Sequence, residues 1–397
     1  MAALPRLARS PTDPAFVQNP YPFYDRARMA GPLVWWQDYA MPAAVSHGAV
    51  NTILRDRRFG RAPLPEQAAP WPAHLADFAA VDAHSMLELE PPAHTRLRGQ
   101  VVRAFTSRRI AGLAPEIAAL AHELIESFPE SEPFDLLPAF AERLPVIVIA
   151  RFLGVPEAMA DQLLDWSHAM VAMYQAGRTR QTEDRANAAA RAFSAFLSDY
   201  VEERRARPGD DLISHLIAAE DEGEKLNRAE LIATCILLLN AGHEATVHTI
   251  GNGVKLLLER GIGAGALAPD RIEATVEEIL RLDPPLHLFT RIAYEPVEVA
   301  GHRFARGEEV ALLLAAAGRD PAAFEAPAAF RPGRAGPAHL AFGAGLHFCV
   351  GAPLARLEMV TALPILFSRC AALTLAEPPR YRPIYHFHGL ERLSVTC

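Results

Sequence analysis

The spacing of apolar positions along the chain is mostly that of helices. "APEIAALAHELIESF" (Ala114–Phe128) repeats apolar residues every three or four positions, which lays them along one helical face. "LPAFAERLPVIVIARFLG" (Leu137–Gly154) and "ANAAARAFSAFLSDYVEERRA" (Ala186–Ala206) do the same. The longest run extends from about Asn227 to Arg260, far beyond an ordinary globular helix. It lacks heptads, so it predicts a central, mostly buried helix. Strand-like segments are fewer. "PLVWWQDYAMPAAVS" (Pro32–Ser46), turning near Asp38, predicts a hairpin, and "VEVAGHRFARGEEVALLL" predicts further short strands. Proline-rich loops lie at 62–73 and 321–337, and no repeat or low-complexity linker divides the chain. The pattern predicts a mainly α fold with a minor β region, in a single large domain covering residues 1–397.

Composition narrows the function. Half of the 397 residues are hydrophobic, enough for a large core, and a net charge of −8 gives no reason to expect nucleic acid as a partner. The most apolar run, Leu231–Leu239, is about half the length of a membrane span. The opening "MAALPRLARSPTDPAF" has no apolar stretch of the kind a secretory leader carries, so a cytoplasmic protein is expected. Cys235, Cys349, Cys370 and Cys397 are widely spaced, with no C-x-x-C pair, which argues against zinc or an iron–sulfur cluster and for free thiols.

One cysteine stands apart. "FGAGLHFCVGAPLARLE" (Phe342–Glu358) sets Cys349 among Gly343, Gly345 and Gly351, just before a helix-like run. Glycines let backbone close around the sulfur and tolerate unusual angles, which suggests a large partner for the thiol. Three further stretches carry chemistry. In "VEEILRLDPP", Glu278 and Arg281 share a helix face before Pro284 ends the helix. In "LLLNAGHEATVHT", Ala241, Gly242 and Ala245 form a notch in the long helix beside the acid Glu244. A mid-helix glycine costs about 1 kcal/mol relative to alanine, so a close neighbour should explain Gly242. In "EPPAHTRLRGQVVRAFT", His94 and Arg98 sit one turn apart and can donate to one anion.

Together these four stretches resemble the cytochrome P450 family, over essentially the whole chain. The segment around Cys349 is similar to the family's haem-binding signature, "EEILR" to its Glu-x-x-Arg, and "AGHEAT" to its central-helix motif. The resemblance implies that Cys349 is the thiolate ligand of the iron of haem b, within Phe342, Gly343 and Gly351. It implies His94, Arg98, Arg291 and His347 as contacts of the haem propionates. Glu278 and Arg281 become a buried structural pair. The family usually completes that network with an arginine where this chain has Ala329, so Arg331, Arg334 or a backbone carbonyl should stand in. Glu244, Ala245 and Thr246 become the oxygen-activating stretch, with alanine where the family commonly has threonine; Thr246 should be aimed elsewhere, its hydroxyl bonding a carbonyl one turn back. The loop 63–86 with Met86, then Leu238, Ala241, Leu286, His287, Leu288 and Phe387, should line the substrate pocket.

The activity implied is that of a monooxygenase inserting one oxygen atom from O2 into a small or medium apolar organic substrate. Electrons would come from a separate ferredoxin with its NAD(P)H reductase. Arg103, Arg108, Arg109 and Arg356 offer a basic patch for that partner. The chain is expected to act as a monomer without a membrane anchor. A peroxide-driven peroxygenase and a non-enzymatic haem sensor are the alternatives.

Overall fold

The computed structural model describes residues 3–130, 132–175, 177–221 and 226–397. The helices that build the site are α1 (Ala76–Asp82), α2 (Ala93–Ala104), α3 (Ala114–Glu126), α4 (Arg143–Leu153), α5 (Ala160–Val171), α6 (Arg180–Ala206), α7 (Arg228–Glu259), α8 (Ile272–Leu282) and α9 (Ala352–Arg369). The long helix α7 agrees with its sequence pattern to within a residue. It starts at a reciprocal cap: Asn227 Oδ1 accepts from the Glu230 N–H, and Glu230 Oε2 accepts from the Asn227 N–H, both at 2.9 Å. Most of its side chains are buried all round, as befits a helix crossing the core.

Two predicted elements differ in detail. Leu137–Gly154 is two segments: a π-helical turn over Leu137–Ala141, then α4, which ends on Gly154 in the left-handed region at φ 86°. The loop 63–86 contains α1, whose Phe78 and Val81 turn inward.

The hairpin forms as predicted, with Leu33–Trp36 antiparallel to Met41–Ala44 and Trp36 opposite Met41. It belongs to a six-stranded sheet in the order Arg6–Leu7, Leu33–Trp36, Met41–Ala44, Glu309–Leu313, Leu288–Ala293, Phe59–Gly60. The main apolar core joins α2 to α9 in one cluster, and two smaller clusters pack beside the sheet. Among the described residues, no helix is long and apolar enough to cross a membrane.

Candidate active site

Between α7 and the loop that precedes α9 lies a cavity of about 690 Å³. Cys349 borders it, and its amide donates to Phe342 O at 3.0 Å, which closes the loop on itself. Cys349 is exposed to the cavity; the protein enclosing it pushes the thiol up, whereas the N–H groups of Gly351 and Ala352 and the charges of Arg98 and Arg356 act towards the thiolate. Gly343 and Gly345 adopt φ of 69° and 70°, and a Cβ on Gly345 would fall 2.2 Å from Leu54 O. These two glycines therefore serve the turn. Gly351 differs: a Cβ there would sit 3.8 Å from the sulfur, an ordinary contact, so its contribution is its N–H rather than room.

Donors gather beside the cysteine. His94, Arg98 and His347 all border the cavity. The His94 and His347 rings are 4.4 Å apart, and His347 Nε2 meets Glu90 Oε1 at 3.0 Å. His94 Nδ1 is buried without a partner, and burial together with His347 and Arg98 lowers this histidine to about 4. Arg98 donates to Phe348 O at 2.6 Å. Arg291 lies just outside this group. It is buried, donates to Thr290 O at 2.7 Å, and is lowered to about 10 by burial and by Arg61. Thr290 and Arg61 border the cavity where sequence had placed Arg291. Arg61 Nε is buried without a partner while Nη2 holds Glu88 at 2.8 Å. Nothing in the spacing of "RRFGR" singles Arg61 out; the antiparallel pairing of Phe59–Gly60 with Ile292–Ala293 brings it here.

The facing wall is α7. Ile149 of α4 explains Gly242, where a Cβ would lie 2.7 Å from Ile149 Cγ1. The two helices cross at Gly242 on the border of the cavity, and Ala241, Glu244, Ala245 and Thr246 border it too. Thr246 borders the cavity rather than aiming elsewhere, and a back-bond on this stretch is made by the Thr249 hydroxyl, which donates to the Ala245 carbonyl at 2.7 Å.

The family description "Cytochrome P450" matches residues 272–383. The biotin biosynthesis cytochrome P450 of Bacillus subtilis is 36% identical over 98% of this chain and 99% of its own length. The chain belongs to the cytochrome P450 family. The vitamin D(3) 25-hydroxylase of Pseudonocardia autotrophica is 37% identical over 96% of this chain and 94% of its own. The crystal structure of P450BioI in complex with hexadec-9Z-enoic acid ligated acyl carrier protein superposes with a TM-score of 0.89, at 36% identity, over 96% of this chain and 99% of that one. The fold is that of a P450, and the chain is an oxidoreductase whose family cofactor is haem b.

The residues present fit that cofactor. A cysteine with two amides at its sulfur borders a cavity of suitable chemistry. Orphaned buried donors, His94 Nδ1 and Arg61 Nε, stand ready for carboxylates.

Of the residues expected to face substrate, Met86, Leu238, Ala241, Leu286, Leu288 and Phe387 border the cavity. His287 does not, and that expectation is corrected. Its Nδ1 meets Tyr24 Oη at 2.9 Å, and its ring lies 4.2 Å from that of His388, in a buried cluster with Asp283. An extended chain alternates its side chains, so neighbours of an inward Leu286 and Leu288 point away. His386, lowered to about 4 by burial, borders the cavity instead.

Behind the cysteine loop, Glu278 and Arg281 form the expected buried pair, bidentate at 2.7 and 2.8 Å. Arg334 supplies the missing third member, with Nε and Nη2 within 2.9–3.1 Å of the Glu278 oxygens. The Arg331 N–H donates to Glu278 at 2.7 Å. Carbonyls of Gly318, Pro327 and Ala329 accept the remaining Arg281 donors, so Ala329 joins the network through its backbone.

Proposed function

We propose that this P450 is a monooxygenase that inserts one oxygen atom from O2 into an apolar, small or medium organic substrate. The observation that carries the reading is a cavity with Cys349 beside it and an apolar wall of Met86, Leu238, Leu286, Leu288 and Phe387. Cys349 is the iron ligand in this reading. His94, His347 and Arg98, with Arg61, hold the propionates. Bound there, haem supplies oxygen activation, with the thiolate donating electron density that favours O–O cleavage.

Polar groups enter the same cavity. Asp82, raised to about 6 by burial, borders it together with Arg61, Gln175 and His386. They favour a substrate that carries oxygen groups on an apolar frame. Relatives named for a biotin pathway and for vitamin D are in keeping with such a frame.

Electrons are proposed to come from a ferredoxin-type protein and its NAD(P)H reductase. Of the basic patch, Arg356 is engaged by Glu277 at 2.5 and 2.9 Å and Arg109 by Asp210 at 2.6 Å. Arg103 and Arg108 are exposed and remain the better candidates for docking.

The reading is tested by adding carbon monoxide to the reduced protein. The strongly red-shifted Soret band of thiolate ligation is expected, and Cys349→His should abolish it. Loss of the band in Cys235→Ser, with Cys349→His unchanged, would contradict the assignment. Turnover of fatty-acid and sterol probes with NADH and partners, set against peroxide alone, then separates monooxygenase from peroxygenase.

A further inference from the structure

Glu244 is enclosed by imidazoles from two helices. His168 of α5 brings Nε2 to 3.3 Å from Oε2. His248, one turn further along α7, brings Nε2 to 3.4 Å from Oε1, and His243 Nε2 lies 3.9 Å from Oε2. The carboxylate borders the cavity next to Ala245. The three histidines differ in access to water. The His168 side chain keeps 40% of its surface exposed, against 1% for His243 and 4% for His248. The cluster also contains a mismatch. His243 Nδ1 lies 2.6 Å from the Leu239 carbonyl and must donate to it, so its Nε2 is a bare acceptor. That acceptor faces Glu244 Oε2, and both atoms are buried without a hydrogen bond. The two acceptors stand 3.9 Å apart, too far for a hydrogen bond, so the nearest donor to Oε2 is His168 Nε2 at 3.3 Å.

We propose that His168 takes protons from solvent and passes them through Glu244 to the cavity at Ala241 and Ala245. The inference rests on the monooxygenase reading, which needs protons at that place. The proton leaves His168 Nε2 for Glu244 Oε2, and the carboxyl then releases one to water in the cavity. The neutral imidazole is recharged by solvent. One proton crosses, and nothing is oxidised or reduced. Glu244 touches the cavity; His168 acts through it and is a positioning and loading residue.

The surroundings agree. The Glu244 carboxylate raises His168 above its ordinary value; burial opposes this, and Arg382 and Glu142, themselves 3.5 Å apart, act in opposite directions. From α7, His243 is held near 4 by burial and stays neutral, and His248 faces the other carboxylate oxygen. The neighbour α6 presents aromatic rings, Phe193 and Phe196, to Trp166 of α5. Because His168 is raised, it is charged below its folded pKa and unloads as pH rises through it.

Two measurements test this. The first is a histidine NMR titration of the diamagnetic ferrous carbon monoxide form. His168 is expected to titrate above the ordinary imidazole range and to return to it in Glu244→Gln. An ordinary midpoint in both proteins overturns the proposal. The second uses a plant-type ferredoxin, its reductase and NADH without organic substrate, and measures the share of reducing equivalents released as hydrogen peroxide. In wild type that share should climb as pH rises above the ordinary imidazole range and His168 unloads. His168→Gln should give a high, flat profile, with delivery slowed roughly tenfold, less than the 10²–10⁴ typical of a direct proton-transfer group. His168→Lys, which stays charged, should restore a low share at high pH. A His168→Gln profile identical to wild type overturns the relay. If wild type consumes no NADH, the NMR titration alone decides the pairing of His168 with Glu244, and the monooxygenase reading is judged separately by turnover of the organic probes.

Discussion

Glu278 and Glu244 are both buried glutamates on helices facing the core, 3% and 7% exposed, yet their surroundings differ in kind. Burial works to raise each carboxyl, and in each case neighbouring donors more than reverse it, leaving both anionic. Around Glu278 the donors are two guanidiniums and a backbone N–H, none of which titrates near neutral pH. Around Glu244 they are imidazoles, of which the water-accessible His168 is raised by the carboxylate, and Oε2 makes no hydrogen bond of ordinary length. A closed set of permanent charges fixes geometry. An open set of titratable ones holds a charge loosely enough to exchange a proton.

The sharpest way to break this contrast is to open the closed set. Arg281 has five donors, directed at Glu278 and at the carbonyls of Gly318, Pro327 and Ala329. Arg281→Ala leaves Glu278 to Arg334 and the Arg331 N–H alone and strands the carbonyls of Gly318 and Pro327, at a cost of about 3 kcal/mol, the low end for breaking a buried pair. Loss of haem or failure to fold is expected, read by absorbance and thermal melting. A stable, haem-loaded Arg281→Ala would remove the structural half of the comparison. Next comes Glu244→Gln. Its partners stand at 3.3–3.9 Å and hold it poorly, so the melt should lose less than about 1.5 kcal/mol. Turnover should fall by roughly 10²-fold, the low end for a positioned proton donor. A large stability loss with unchanged turnover would make Glu244 another scaffold residue.

How much of this was legible in the chain depends on the kind of signal. The helices, the hairpin and the Cys349 loop follow from periodicity and from local backbone demands, which sequence carries directly. Arg334 is harder to find. It reaches Glu278 only because the loop turns back on itself through Ala326 and Gly333, at φ 43° and 74°. His287 was legible in principle, since alternation along Leu286–Leu288 turns it away from the cavity; reading the three residues as one lining patch ignored the period. His168 carried no local signal. A histidine in an amphipathic helix resembles any surface histidine, and only the packing of α5 on α7 brings it to Glu244. Long-range meetings of this sort are set by the tertiary fold, and single-chain periodicity is blind to them.

The smallest expected effect lies at Ala245, and it separates two sources of protons. A threonine hydroxyl at this cavity-facing position would add one donor next to Glu244. If protons already arrive through Glu244 and water, that donor adds little. Ala245→Thr should then change product formed per NADH by no more than about threefold, about 0.6 kcal/mol in barrier. The cavity near Ala241 and Ala245 needs polar partners to keep such a water, and Glu244 with a substrate oxygen group can provide them. Probes that carry a hydroxyl or carbonyl near the oxidised carbon should therefore couple better than matched hydrocarbons in wild type, and Ala245→Thr should narrow the gap. Measuring NADH, peroxide and product for matched pairs checks this. A hydrocarbon that couples as tightly as its oxygenated counterpart would leave Glu244 and its histidines as the whole proton supply. A tenfold gain in Ala245→Thr with every probe would mean instead that the open carboxylate delivers too little on its own.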